Sequence, residues 1–148
     1  NTRFHVLGLR GVRDAEVRGV WSPNGTNAAS AARLASDLDV GHAKAFASIG
    51  DMVADPAIDA IWLCGPNQAR VENVEAIVDA LARGRGTLKG IACEKPLGRT
   101  VAEAQKLLDL VKGTGVVTGY LENQLFAPHI ETGKALSLVL LIEARFTV

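Results

Sequence analysis

Apolar residues recur every three or four positions in three segments of the chain, the spacing that places them on one face of a helix. These stripes comprise Ala31, Leu34, Ala35 and Leu38; Val71, Val74, Ile77, Val78 and Leu81; and Val101, Ala104, Leu107, Leu108 and Val111. Thr100 and Glu103 form a capping-box pattern before the third stripe. Ser48, three residues before Asp51, is a candidate cap for a further, short helix. Residues 1–12 also have the pattern of a short helix.

Short apolar runs that predict strands lie between these helices. They cover residues 16–21, 44–47, 60–64, 91–93 and 116–120, and the runs at 60–64 and 91–93 are typical of buried parallel strands. Ser22 to Gly25 is expected to be a turn, with a helix over 28–38 that ends at Gly41. Strand and helix patterns that alternate this regularly predict a doubly wound, Rossmann-type α/β domain with a parallel sheet.

The segment from Gly113 to Gly119 has glycines at nearly the spacing of a dinucleotide-binding fingerprint. It follows a predicted helix and leads into a predicted strand, whereas phosphate binding requires a strand that leads into a helix N-terminus. We therefore expect this segment to end a helix and form a loop.

Polar residues at the ends of predicted strands are the candidates for ligand binding, because ligands of an open parallel sheet bind beyond the carboxyl ends of its strands. Glu94 and Lys95 follow the run at 91–93, and Pro96 stiffens the turn. A surface ion pair between Glu94 and Lys95 is the alternative interpretation.

Two other turns follow predicted strands. Ser22 occupies the position where many dinucleotide folds place an acid, and serine there leaves both NAD and NADP open. Ser22 as a simple turn former is equally consistent with the sequence. Gly65, Pro66 and Asn67 form a rigid turn that offers backbone groups and the Asn67 amide to a cofactor, although Asn67 could also cap the next helix.

Composition narrows the class of protein. The chain of 148 residues has 16 basic and 16 acidic residues, a balance that favours neither nucleic acid nor an anionic membrane as partner. Cys64 and Cys93 lie in apolar runs and are expected to be reduced core thiols, and we expect no metal site. No apolar stretch reaches membrane-spanning length, so we expect a cytoplasmic protein.

The segment Cys93-Glu94-Lys95-Pro96-Leu97, followed by Thr100-Val101-Ala102-Glu103-Ala104, resembles the Glu-Lys-Pro segment of the glucose–fructose oxidoreductase / inositol dehydrogenase (Gfo/Idh/MocA) family. Gly65-Pro66-Asn67 is similar to the Thr-Pro-Asn turn of this family. A histidine is common shortly after that turn, whereas this chain has Ala69 and Arg70. The segment from Tyr120 to Pro128 resembles the crossover between the family's two domains.

The resemblance implies a nicotinamide-dependent oxidoreductase that acts on a sugar, cyclitol or related polyol. Lys95 would donate a hydrogen bond to the reacting oxygen. Glu94 would orient Lys95 or the nicotinamide ribose, and Asn123 would lie near nicotinamide and substrate. Ser22 and the Gly65–Asn67 turn would contact the NAD or NADP cofactor. A non-catalytic nucleotide-binding or assembly domain of the same fold is the alternative.

The resemblance also implies how the chain is organised. Residues 1–136 would form the NAD(P)-binding domain without the family's first strand and glycine loop, and residues 137–148 would be the first strand of a substrate and oligomerisation domain. We expect the chain to be a fragment that turns over no substrate alone. The full-length enzyme is expected to be a homo-oligomer whose proton acceptor comes from the other domain.

Overall fold

Helices and strands alternate along the chain in the computed structural model, which describes residues 2–122 and 127–133. The helices are α1 (Thr2–Gly8), α2 (Gly25–Asp37), α3 (Ile49–Ala54), α4 (Arg70–Ala82) and α5 (Val101–Val111). The strands are β1 (Gly19–Val20), β2 (Lys44–Ala45), β3 (Ala60–Leu63), β4 (Gly90–Glu94) and β5 (Val117–Leu121). Short 3-10 turns cover Leu9–Gly11 and Asn67–Ala69, and residues 128–133 are helical.

All strand pairs are parallel, as the alternating pattern predicts. β1 pairs with β2, and β4 lies between β3 and β5. Within the described residues the two groups of strands form separate sheets. Because β3, β4 and β5 run in the same direction, their carboxyl ends lie along one edge of the sheet.

The first two strands are shorter than the sequence predicts. The run at 16–21 contributes only Gly19 and Val20 to β1, and the run at 44–47 contributes only Lys44 and Ala45 to β2. β1 pairs on one side only, with β2, so a longer ladder has no second partner to stabilise it.

The helix expected over residues 28–38 begins earlier, at Gly25. Asn24 is its N-cap, and the side-chain Oδ1 accepts the N–H groups of Thr26 at 3.0 Å and Asn27 at 3.3 Å. The predicted turn at 22–25 was therefore one residue too long, because this capping role of Asn24 went unrecognised.

The sequence had suggested that Gly41 ends this helix, but the helix ends before it. The helix ends at Asp37, and Asp39 turns the chain with a φ of 56°. Gly41 has a φ of +136°, and a Cβ added there would lie 2.5 Å from the carbonyl oxygen of Val17. Gly41 is thus needed where the chain passes close to the segment before β1.

The two predicted caps are confirmed. The Oγ of Ser48 accepts the N–H of Asp51 at 3.0 Å, and the Oγ1 of Thr100 accepts the N–H of Glu103 at 3.2 Å. The Glu103 carboxylate does not complete a capping box on Thr100, because it accepts the backbone N–H of Arg99 at 2.8 Å and pairs with that guanidinium.

The main core lies between one face of β3 and β4 and helices α3, α4 and α5. Its fully buried large side chains are Val53, Val74 and Ile77. Ile61 and Leu63 of β3 are buried on this face, whereas Trp62 on the opposite face is 43% exposed. The strand that we expected to be buried is therefore fully buried on one face only and partly covered on the other. Among the described residues, no helix is long and apolar enough to cross a bilayer.

Candidate functional site

The turns after β3 and β4 meet at the carboxyl edge of the sheet. β3 leads into Gly65-Pro66-Asn67, and β4 ends at Glu94, followed by Lys95 and Pro96. Leu63 and Cys93 are register partners on the two parallel strands, so the turns that follow are neighbours. This edge is where an open parallel sheet binds its ligand.

The two turns line an open cavity of about 360 Å³. Its lining is Cys64, the Gly65–Asn67 turn, Arg70 and the Glu94–Pro96 turn. The structure thus brings together Gly65, Pro66, Asn67, Glu94 and Lys95, the residues that sequence analysis had assigned to cofactor or catalysis at these two strands.

Asn67 does not cap a helix. It begins the 3-10 turn that precedes α4, and α4 has no side-chain cap at Ala69. The alternative role that the sequence left open is therefore wrong. Asn67 is one of the polar residues that line the cavity.

Glu94 uses both carboxylate oxygens. Oε1 lies 2.9 Å from the imidazole Nε2 of His5, and Oε2 accepts the backbone N–H of Lys95 at 3.1 Å. The His5 ring also packs on Trp62, with ring centroids 4.7 Å apart. Glu94 is thus held in place by α1, and the alternative interpretation of a surface ion pair with Lys95 is wrong.

Lys95 is exposed at the mouth of the cavity. Within residues 2–122 and 127–133, its ammonium group has no ion-pair or hydrogen-bond partner. A charged ammonium that its neighbours leave free can donate to a group that enters the cavity.

In the sequence, Arg70 stands out only as a departure from the family pattern. It is 2% exposed and is the one buried charged residue among those described. Its Nη1 donates to the carbonyl oxygen of Pro96 and its Nη2 to that of Gly65, the latter at 3.0 Å. Its spacing to Val74 and Ile77 places Arg70 on the apolar stripe of α4. A charged residue on an apolar stripe was the signal in the sequence that Arg70 is buried.

Cys64 lines this cavity, and its thiol is less reactive at neutral pH than an ordinary cysteine. Burial, with a smaller contribution from the Glu94 carboxylate, raises the pKa of Cys64 from its ordinary value of 9.0 to about 11. Burial also raises the pKa of Cys93. Both cysteines are free thiols, as expected.

Ser22 and Asn123 are not part of this arrangement. Ser22 follows β1 in the other sheet, does not line the cavity, and accepts the backbone N–H of Asn24 at 3.3 Å as a turn former does. Asn123 and the predicted strand at 137–148 lie outside the described residues.

A larger depression of about 520 Å³ lies on the exposed side of α5. Two of its charged residues already have partners, because Lys106 pairs with Glu75 at 2.6 Å and Asp109 with Lys112 at 2.8 Å. This depression lies on a helix surface and away from the strand ends, so the smaller cavity is the better candidate site.

The parallel sheet and its strand-end cavity define a Rossmann-type domain. Residues 2–121 match the model of the Gfo/Idh/MocA family, described as an oxidoreductase family with an NAD-binding Rossmann fold. Since the match covers most of the chain, the chain belongs to this family.

Individual relatives agree with this assignment. The chain is 30% identical over 117 residues to 1,5-anhydro-D-fructose reductase of Ensifer adhaerens, covering 79% of this chain and 32% of that enzyme. It resembles myo-inositol dehydrogenase of Lactobacillus casei, solved with NAD(H) and myo-inositol, with a TM-score of 0.73 and 25% identity over 92% of this chain and 38% of that one. Biliverdin reductase of Synechocystis sp. PCC 6803, solved with biliverdin and NADP+, shares the fold with a TM-score of 0.65 and 22% identity, covering 90% and 38%. The chain spans a third or less of the length of the curated relatives that it matches.

The side chains around the cavity offer polar groups of the kind that a nicotinamide cofactor can bond to. Asn67 offers an amide, Glu94 a fixed carboxylate and Lys95 an ammonium, which together can bond to ribose hydroxyls and a carboxamide. Each Glu94 oxygen keeps a second lone pair beside the bond it already accepts. Among the described residues, no group of three or more potential metal ligands occurs.

Proposed function

We propose that the whole protein is an oxidoreductase that transfers a hydride between NAD or NADP and a hydroxyl or carbonyl carbon of a sugar, cyclitol or related polyol. Residues 1–136 provide its cofactor-binding domain, and residues 137–148 begin the domain that binds substrate. Family membership supports the class of reaction. The names of the reductase and of the inositol dehydrogenase support a polyhydroxylated substrate.

One observation carries this proposal. The turns after β3 and β4 meet around a single cavity, and Lys95 presents an unpaired ammonium at its mouth. A cation placed beside the reacting oxygen stabilises the negative charge that develops when a hydride leaves or arrives. The nicotinamide ring, when bound, supplies the hydride donor or acceptor at C4.

Each side chain then has a distinct task. Lys95 donates a hydrogen bond to the substrate oxygen. Glu94, held by His5 and by the backbone of Lys95, accepts from the nicotinamide ribose. Asn67 bonds to the cofactor beside it. We assign Asn123 to the same region, and we assign the proton acceptor to the substrate domain.

The choice of cofactor depends on the turn after β1. Ser22 neither requires a free 2′-hydroxyl, as an acid there would, nor repels a 2′-phosphate. The relatives solved with NAD(H) and with NADP+ are consistent with either choice. Parallel titrations with NADH and NADPH decide between them.

The whole protein, with whatever sequence flanks residues 1–148 in its gene, should first be tested for binding of NADH and NADPH. It should then be incubated with oxidised cofactor and a panel of sugars and cyclitols, and with reduced cofactor and the matching ketones, while nicotinamide absorbance is followed. We expect cofactor-dependent turnover with at least one polyol. Tight cofactor binding without turnover would instead favour the non-catalytic domain.

A further inference from the structure

Arg70 is a cation buried in the wall of the cavity. It is 2% exposed, and no ion pair joins its guanidinium to a carboxylate within the part of the chain that the structure describes. Burying a charge is costly unless hydrogen bonds or an opposite charge compensate it. The compensation comes from two backbone carbonyl oxygens.

These two carbonyl groups belong to different turns. The Gly65 oxygen lies after β3, and the Pro96 oxygen lies after β4, 26 residues from Arg70 in sequence. One guanidinium therefore ties the two walls of the cavity together through separate nitrogens. Lys95 directly precedes Pro96, and Asn67 lies two residues after Gly65. Each is therefore close in sequence to one of the two carbonyl groups that Arg70 binds.

Arginine suits this task because its guanidinium is a planar, rigid fork with several donors, whereas lysine has a single nitrogen at the end of a flexible chain. With so little of Arg70 exposed, its contacts are with the protein's own carbonyl groups and leave little surface for a ligand. Arg70 thus affects the cavity by holding the two turns that line it.

We propose that Arg70 is a positioning residue, which fixes the separation of the Gly65–Asn67 and Glu94–Pro96 turns and so sets the places of Asn67 and Lys95 around the cofactor. This inference rests on the proposed function. It goes beyond it by assigning the geometry of the cavity to one buried side chain that binds neither substrate nor cofactor.

The test compares Arg70→Lys and Arg70→Met with the matched control Arg83→Met. Arg83 lies just after the same helix and makes only a loose surface pair with Asp79 at 3.8 Å. Arg70→Lys keeps the charge but cannot donate to both carbonyl groups through separate nitrogens. If Arg70→Met fails to fold, Arg70→Lys alone is compared with the wild type and the control. Amide hydrogen exchange and cofactor affinity are measured for each protein.

We expect faster exchange in both turns of Arg70→Lys, with protection in the interiors of β3 and β4 unchanged. Cofactor affinity should fall by about tenfold, and kcat should fall more than KM rises, because a small displacement of Lys95 from the reacting oxygen is enough to slow the chemical step. Arg70→Met should show the same pattern more strongly. Arg83→Met should match the wild type.

Two results would overturn the inference. Unchanged exchange in both turns with wild-type affinity would show that Arg70 does not set their positions. Uniformly faster exchange throughout β3, β4 and α4 would show a general stabilising role. If the wild-type whole protein binds neither cofactor while Arg70→Lys still loosens only the two turns, the proposed function fails and the tie between the turns stands.

Discussion

The imidazole Nε2 of His5 lies 2.9 Å from Oε1 of Glu94, so a side chain of the first helix contacts the carboxylate at the end of β4. The side chains are 23% and 12% exposed, which makes this contact the most sheltered of those between acidic and basic side chains among the described residues. Through it, α1 is docked at the edge of the sheet where the cavity opens. The position of Glu94 therefore depends on a residue far away in sequence.

Substitution His5→Ala should loosen this docking. Loss of one sheltered hydrogen bond to a charged group should lower the free energy of unfolding by about 1.5–3 kcal/mol. Chemical denaturation measures this change, and hydrogen exchange should locate it in α1 and in the amide of Lys95. His42→Ala, at an exposed position, is the matched control. An effect of His5→Ala no larger than the control would remove the contact from the account.

Substitution Lys95→Met tests the role assigned to the ammonium. Methionine keeps most of the side-chain volume and removes the charge, so kcat of the whole protein should fall by roughly 10²–10³-fold, the scale for losing one donor to a developing oxyanion. Cofactor affinity should stay within a few-fold of the wild type.

The matched control for Lys95 is Lys89→Met. Lys89 precedes the opposite end of the same strand and pairs with Asp59 at 3.0 Å on the surface. This control should leave turnover unchanged. Near-wild-type kcat for Lys95→Met on the identified substrate would exclude Lys95 from the mechanism.

The thiol of Cys64 provides a chemical probe of the cavity. Because its pKa is raised from 9.0 to about 11, alkylation at neutral pH should be roughly 100-fold slower than for an unperturbed thiol. The rate should keep rising with pH up to about 11. Saturating cofactor should slow it further, since Cys64 lines the cavity. Fast alkylation at neutral pH that cofactor does not affect would contradict this placement.

The raised pKa of Cys64 also predicts that the free energy of unfolding depends on pH. The folded state keeps the Cys64 proton at pH values where the unfolded chain releases it, so this contribution is fully present below about pH 9 and is lost as the pH rises to about 11. Denaturation midpoints across this window should fall less steeply for Cys64→Ala than for the wild type. Parallel curves for the two proteins would contradict the shift.

Periodicity was sufficient to predict the order of the helices and strands, because the apolar stripe of α4 and the runs of β3 and β4 are set by local sequence. Boundaries were less predictable: Asn24 starts α2 early through a cap, and the lengths of β1 and β2 depend on pairing. The rule that ligands bind at strand ends predicted that Asn67 and Lys95 lie at one site, and both line the same cavity.

The rest of the site depends on contacts between distant residues. Arg70 reaches Pro96 across 26 positions, and no local pattern reports that a buried cation will find its partners in another turn. The contact between His5 and Glu94 is of the same kind. A charged residue on an apolar stripe, as Arg70 is, was the one sign in the sequence that a buried polar contact existed.

The central claim is that the cavity between the turns after β3 and β4 holds the nicotinamide cofactor, and Gly65→Phe tests it by placing a bulky side chain on the turn that forms one wall of that cavity. A Cβ added at Gly65 meets nothing closer than the Asn73 amide nitrogen at 3.9 Å, so the backbone tolerates a side chain there. Gly11→Phe, in open space and outside the cavity, is the matched control.

Calorimetric titration of the whole protein with NADH and NADPH is the deciding measurement. We expect saturable binding of at least one cofactor by the wild type and by Gly11→Phe. For Gly65→Phe we expect binding weakened by about tenfold or more, equivalent to about 1.4 kcal/mol, with an unchanged thermal midpoint. Wild-type affinity in a folded Gly65→Phe protein, or no binding of either cofactor by the wild type, would contradict the central claim.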